Sequence, residues 1–121
     1  MINQYSSKEE VLREVSKKGI SLYYASPELK DDEDVVITAA RQDSFALSYA
    51  SPRLKNKKSV VKEAVLSHGL AIIFSSDRLR DDPEIAYLAL KSDSNAIRFV
   101  SDRIKNIPLD KLKELAKACA A

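Results

Sequence analysis

Apolar residues recur along the chain in short helical stripes separated by polar punctuation. In Asp34–Arg41 the residues Val35, Val36, Ala39 and Ala40 fall at i, i+1, i+4 and i+5, one face of an α-helix. The stripe returns in Val60, Val61, Ala64 and Val65 and again in Ile85, Ala86, Ala89 and Leu90, each time 25 residues further on. A second pattern shares the period. Tyr24-Ala25-Ser26-Pro27-Glu28-Leu29-Lys30-Asp31 recurs as 49–56, 74–81 and 99–106 without insertion, keeping an aromatic, a serine, an aliphatic and a base in register. An internal repeat decides the fold before any single residue does. It predicts an all-α chain, a small α-solenoid of about four two-helix units at about 8–32, 33–57, 58–82 and 83–107, with a capping helix over about 108–119.

Each unit is expected to open with a ten-residue helix, preceded by a polar column of Ser6, Asp31, Asn56, Asp81 and Asn106 able to accept from free first-turn amides. Ser7 with Glu10 has capping-box spacing, and Pro83 and Pro108 suit a first helical turn. The column Gly19, Ser44, Gly69, Ser94 is read as the exit of the first helix, glycine there taking a left-handed conformation. A shorter second helix follows, with Leu22, Leu47, Ile72 and Ile97 and the aromatics Tyr24, Tyr49, Phe74 and Phe99 expected in the core. Ser26, Ser51, Ser76 and Ser101, each before Pro or Asp, then restart one more turn. A helix of ten residues does not persist alone in water, so stability must come from each unit burying its neighbour's face. In the last helix Leu112, Leu115 and Ala116 are expected to cover the final unit.

The order of an acid, two or three aliphatics, a short polar turn, Ala-Leu, an aromatic, Ala-Ser and a closing Leu-Lys-Asp-Asp resembles the domain of unknown function 4116, a microbial repeat. The likeness runs from about Lys8 to Ile107. It implies tandem helical repeats, and it brings no activity, cofactor or functional residue with it.

Composition narrows the function classes. Twenty basic and eighteen acidic side chains leave a net charge of +2, so any basic surface must be local. A single cysteine, Cys119, excludes an intrachain disulfide and a cysteine-rich metal site. No apolar signal core and no window approaching the ~20 apolar residues of a membrane span occur. A cytoplasmic protein is expected, or one delivered into a host cell by a route that reads no cleavable signal. No role for a membrane follows.

Residues with chemical potential fall into the repeat. His68 occupies the turn position held elsewhere by Lys18, Asp43 and Asp93, and the pairs Asp31-Asp32 and Asp81-Asp82 sit where helix caps belong. The serines recur in all four copies, as a unique nucleophile would not, and no glycine-rich phosphate loop is present. Neither an enzyme nor a cofactor nor a bound metal is expected.

Two columns remain as candidate partner-binding positions. Arg53, Arg78 and Arg103 align into a ladder of cations, which would suit a nucleic-acid backbone or an acidic protein surface. The column Tyr23, Ser48, Ile73, Arg98 varies most in character between copies, while Ile20, Phe45 and Leu70, three residues earlier, are expected mainly as core between units. The expected function is non-catalytic binding of another protein, as an adaptor, effector or inhibitor, through the variable column. Nucleic-acid binding along the ladder is the alternative.

Overall fold

The computed structural model describes residues 1–120. The first helices of the units, α1 (Lys8–Lys17), α3 (Glu33–Gln42), α5 (Lys58–Ser67) and α7 (Pro83–Ser92), stack in sequence, and α9 (Leu109–Ala120) packs on α7 as a further first helix would. Four shorter segments, η1 (Gly19–Tyr24), η2 (Ser44–Tyr49), η3 (Gly69–Phe74) and η4 (Ser94–Arg98), form a second row beside them. Each is followed by a single helical turn: α2 (Pro27–Lys30), α4 (Pro52–Lys55), α6 (Asp77–Arg80) and α8 (Asp102–Lys105). Among the described residues there are no strands, and the chain is an all-α solenoid.

The core lies between the two rows. Val11, Val15, Val36, Ala40, Val61, Val65 and Ala86 are buried, joined by Leu22, Leu47 and Ile72 from the second row and by Leu54, Leu79 and Ile104 from the single turns. Burying one such aliphatic side chain stabilises the fold by about 1.5–3 kcal/mol, which is how helices of ten residues persist. The aromatic column packs against the rim of this core except at Tyr24. Tyr49, Phe74 and Phe99 are half-buried, and Tyr24 is 47% exposed. Ile97 is exposed as well, since no fifth short segment stacks on η4 among the described residues. In α9, Leu112 and Ala116 cover the last unit while Leu115 faces outward.

Three local expectations are corrected. The second helix of each unit is a 3₁₀ segment, with three residues per turn. The helix caps lie one residue later than expected: Ser7 forms a full capping box with Glu10, Asp32 accepts from Val35 N, Asp82 accepts from Glu84 N and Ile85 N, and Lys57 provides no side-chain cap. The glycines are not left-handed, since no described residue has positive φ. They answer a close approach instead: a Cβ on Gly19 would stand 2.3 Å from Ala39 O of the next unit, and one on Gly69 would stand 2.4 Å from Ala89 O.

That close approach alternates. Gly19 N donates to Gln42 Oε1 at 2.6 Å and Gly69 N to Ser92 Oγ at 3.0 Å, so units 2 and 4 cap the 3₁₀ segments of units 1 and 3. In η2 and η4 the cap is local, from Asp43 to Phe45 N and from Asp93 to Asn95 N, and serine replaces glycine. Accordingly η1 lies tight on α3 and η3 on α7, whereas η2 lies more loosely on α5. The 25-residue units are therefore grouped in pairs.

Candidate interaction face

Three residues per turn give a 3₁₀ segment three faces, because side chains at i and i+3 eclipse. One face, Gly19, Leu22 and Ala25, is buried, and so are Gly69, Ile72 and Ser75. The second couples a small buried residue to a half-exposed aromatic, as in Ala46 with Tyr49 and Ala71 with Phe74. The third looks outward: Ile20 with Tyr23, Phe45 with Ser48, Leu70 with Ile73, and Asn95 with Arg98. Ile20, Phe45 and Leu70 are therefore not core between units; they are exposed at 37%, 55% and 37%. Because η1 to η4 stack side by side, this third face runs the length of the solenoid.

Of the variable column, Tyr23 is 56% exposed and Arg98 is exposed, while Ser48 and Ile73 are half-buried. Ser48 Oγ donates back to Phe45 O at 2.7 Å and is turned to its own segment. Aromatic contacts tie neighbouring units along the face. The Tyr23 ring meets Tyr24 edge-on at 5.1 Å and Tyr49 at 5.2 Å, and Phe45 meets Phe74 at 5.1 Å. Lys18, Ile20, Ser21, Tyr23, Tyr24 and Tyr49 line a cleft of about 260 Å³, and Lys30 Nζ stands 5.5 Å from the Tyr23 ring centre. Tyr24 and Tyr49 were legible only as core aromatics. A hydrophobic period of three would have shown them at a rim.

The arginine column has a different position. Arg53 Nε donates to Asp31 Oδ1 at 2.9 Å and its Nη2 to Asp31 O at 2.9 Å, while Ser51 Oγ donates to the same Oδ1 at 2.5 Å. Ser51 Oγ in turn accepts from Leu54 N, and Ser51 N donates to Lys30 O at 3.0 Å. This clamp is repeated by Ser76 and Arg78 on Asn56, and by Ser101 and Arg103 on Asp81. Asp31, Asn56 and Asp81 of the polar column expected to cap helices thus fasten each unit to the next, while Ser6 and Asn106 make only local bonds. Arg53 and Arg103 each face a carboxylate; Arg78 faces a neutral amide. At the corresponding position the first unit has Glu28, which has no such donors.

Charges at and along successive first helices are also paired. Lys8 reaches Asp32 at 3.1 Å and Asp34 at 3.2 Å, Lys57 reaches Glu33, and Arg41 reaches Glu63 at 2.7 Å. Glu84, 7% exposed, accepts from Lys58 at 2.9 Å and Lys62 at 3.0 Å, and Lys58 also reaches Asp82 at 3.1 Å. Burial pushes the Glu84 carboxyl up, but hydrogen bonds from the two lysines outweigh it and hold the group below its ordinary value. The Ser51 hydroxyl and Arg53 hold Asp31 down, and Arg103 and Ser101 do the same for Asp81. Of the basic residues Lys55, Lys57, Lys58 and Lys62, the last three are thereby matched by acids.

His68 is an exposed turn residue beside Gly69, and Cys119 is exposed on α9. Among the described residues no group of three or more His, Cys, Asp or Glu side chains is placed to hold a metal ion, and no helix is long and apolar enough to cross a membrane.

Fold and face together define a helical-repeat protein whose junctions alternate and whose second row leaves apolar side chains exposed. The chain belongs to the family described as Domain of unknown function (DUF4116), whose model matches residues 8–55 and 57–105. Each match spans two 25-residue units, and the division falls where η2 lies loosely on α5. No curated protein and no solved structure matches the chain.

Proposed function

We propose that the protein is a non-catalytic, protein-binding solenoid that acts by occupying a partner, as an adaptor, effector or inhibitor, in a cytoplasm. The observation that carries this reading is the outward face of the 3₁₀ row. Ile20, Tyr23, Phe45 and Leu70 are large apolar side chains exposed on consecutive stacked segments. Scattered exposed apolar residues are ordinary on a surface, whereas a contiguous row is characteristic of an interaction site. Aromatic side chains bury much area at low entropic cost, which makes Tyr23 and Phe45 suitable anchors. The partner fitted to this face is a protein segment with apolar side chains, and Arg98 gives the far end of the row a charged limit.

Binding of nucleic acid along the arginine ladder is the weaker reading, because Arg53 and Arg103 are already engaged by carboxylates. A photo-crosslinking side chain placed at Phe45 tests the docking face in the native or host lysate. The expected product is a discrete protein adduct that disappears in Tyr23→Ala, Ile73→Asp and Arg98→Glu. An adduct indifferent to all three, or one formed equally from Leu66 on α5, would overturn the assignment of the face.

A further inference from the structure

The two pairs of units give an internal control for what the framework requires. Position by position, Ser21, Tyr23, Tyr24 and Tyr49 of the first pair correspond to Ala71, Ile73, Phe74 and Phe99 of the second. The same backbone is built in both, with η1 and η3 in matching places on α3 and α7. The fold therefore does not need these four hydroxyls. Ser21 is buried and its Oγ turns to Glu14, which leaves three phenols gathered at one cleft.

The lining of that cleft is rich in donors. The phenols of Tyr23, Tyr24 and Tyr49 each offer an O–H and form no hydrogen bond within the fold among the described residues, and Lys18 contributes an ammonium. Lys30 adds a second cation over the Tyr23 ring. Neither a carboxylate nor a carboxamide lines the cleft. Ammonium groups only donate, so the complementary ligand is rich in acceptors. The rings meet at 87° and 69°, forming corners rather than a flat stack.

A polyproline II segment matches these features. Its backbone makes no internal hydrogen bonds, so its carbonyls are free to accept from phenols, and its pyrrolidine rings pack into aromatic corners. Carboxylates on the same segment would meet Lys18 and Lys30. We propose that the Tyr23–Tyr24–Tyr49 cleft receives an acidic, proline-rich segment of a partner protein. This rests on the reading of the 3₁₀ row as a docking face and names the chemistry that its first half selects.

The test uses the full chain, which has no tryptophan and carries three of its five tyrosines at the cleft, so that tyrosine fluorescence reports chiefly on it. An acetylated peptide of repeating Pro-Pro-Glu is titrated against it, with equal lengths of Pro-Pro-Lys and Gly-Ser-Glu as comparison. Saturable binding of Pro-Pro-Glu is expected, at least about tenfold tighter than either comparison peptide and weakening with salt. The triple variant Tyr23→Ile, Tyr24→Phe, Tyr49→Phe should lose about tenfold or more, followed by isothermal calorimetry, with its melting temperature retained. If that variant proves unstable, Lys18→Glu with Lys30→Glu replaces it, and the same loss is expected. Equal binding of all three peptides, absence of saturation, or undiminished binding by the variants would overturn the proposal. Should the peptides fail while the Phe45 adduct still depends on Ile73 and Arg98, the docking face stands and only the named segment is wrong.

Discussion

The junction between units 1 and 2 and the junction between units 2 and 3 use the same devices in unequal strength. At the first, Asp31 takes Arg53 as a charged clamp, Lys8 gathers two carboxylates, and Gly19 lets η1 settle against Ala39 O. The junction between units 3 and 4 repeats all three with Asp81, Lys58 and Gly69. At the central junction Asn56 stands in for the aspartate, Ser44 for the glycine, Lys57 leaves α5 without a side-chain cap, and single ion pairs join Glu33 to Lys57 and Arg41 to Glu63. A period of 25 describes the chain; a period of 50 describes the devices at its junctions. The building block is a fastened pair, and the middle of the solenoid is a seam.

The largest expected break in this contrast comes from the glycines. Gly19→Ala and Gly69→Ala drive a Cβ into backbone that cannot yield cheaply, and each should cost about 3 kcal/mol in urea unfolding. Ser44→Ala, at the same position of the seam, should stay within about 0.5 kcal/mol. Glycine effects of the same size as Ser44→Ala would mean that the alternation has no energetic content.

Glu84 offers the next test. Removing its charge with Glu84→Gln leaves Lys58 and Lys62 around a neutral group; because both lysines are partly solvated, the cost should be about 1–2 kcal/mol. Asp34→Asn, the counterpart in unit 2 and largely exposed, should cost no more than about 0.5 kcal/mol.

Acid should then weaken the outer junctions and narrow their advantage over the seam. The folded-state pKa values of Glu84, Asp31, Asp32 and Asp81 lie below the ordinary 4.5 of glutamate and 3.8 of aspartate. The unfolded chain therefore binds more protons in this range. The stability these groups contribute is complete above the ordinary values and is lost as pH falls through the lowered ones. Urea midpoints measured from pH 6 downward should begin to drop near the ordinary values, and Glu84→Gln should flatten that decline. The smallest expected effect is a gain: Asn56→Asp gives the seam the charged clamp of its neighbours and should raise the urea midpoint slightly at neutral pH, with no gain once the carboxylate is protonated.

Much of the framework was legible in the sequence. The serine and aliphatic columns at spacing 25 locate every unit, and the valine stripes of α1, α3 and α5 mark the buried face. The second row was harder to read. Leu22 and Ala25, like Ile72 and Ser75, follow a period of three, which an α-helical template does not look for. The clamp was hidden because Ser51 and Arg53 lie some twenty residues from Asp31, a separation at which only stacked geometry brings side chains together. Glu28 in the first unit, where three later units have arginine, was the available hint. For the outward face, the variable column pointed to Tyr23, Ile73 and Arg98, but Ile20 and Phe45 looked like core because an exposed apolar residue and a buried one have the same letter.

Native-state hydrogen exchange of the full chain, followed amide by amide, tests the paired architecture most directly, since repeat proteins open in cooperative blocks set by their junctions. Two protected blocks are expected, one over α1 to α4 and one over α5 to α9, with the amides of η2 and the first turn of α5 exchanging sooner than those of η1, η3 and the first turns of α3 and α7. Protection that varies smoothly from one end to the other, or a single block centred on α3, η2 and α5, would contradict a solenoid of two fastened pairs.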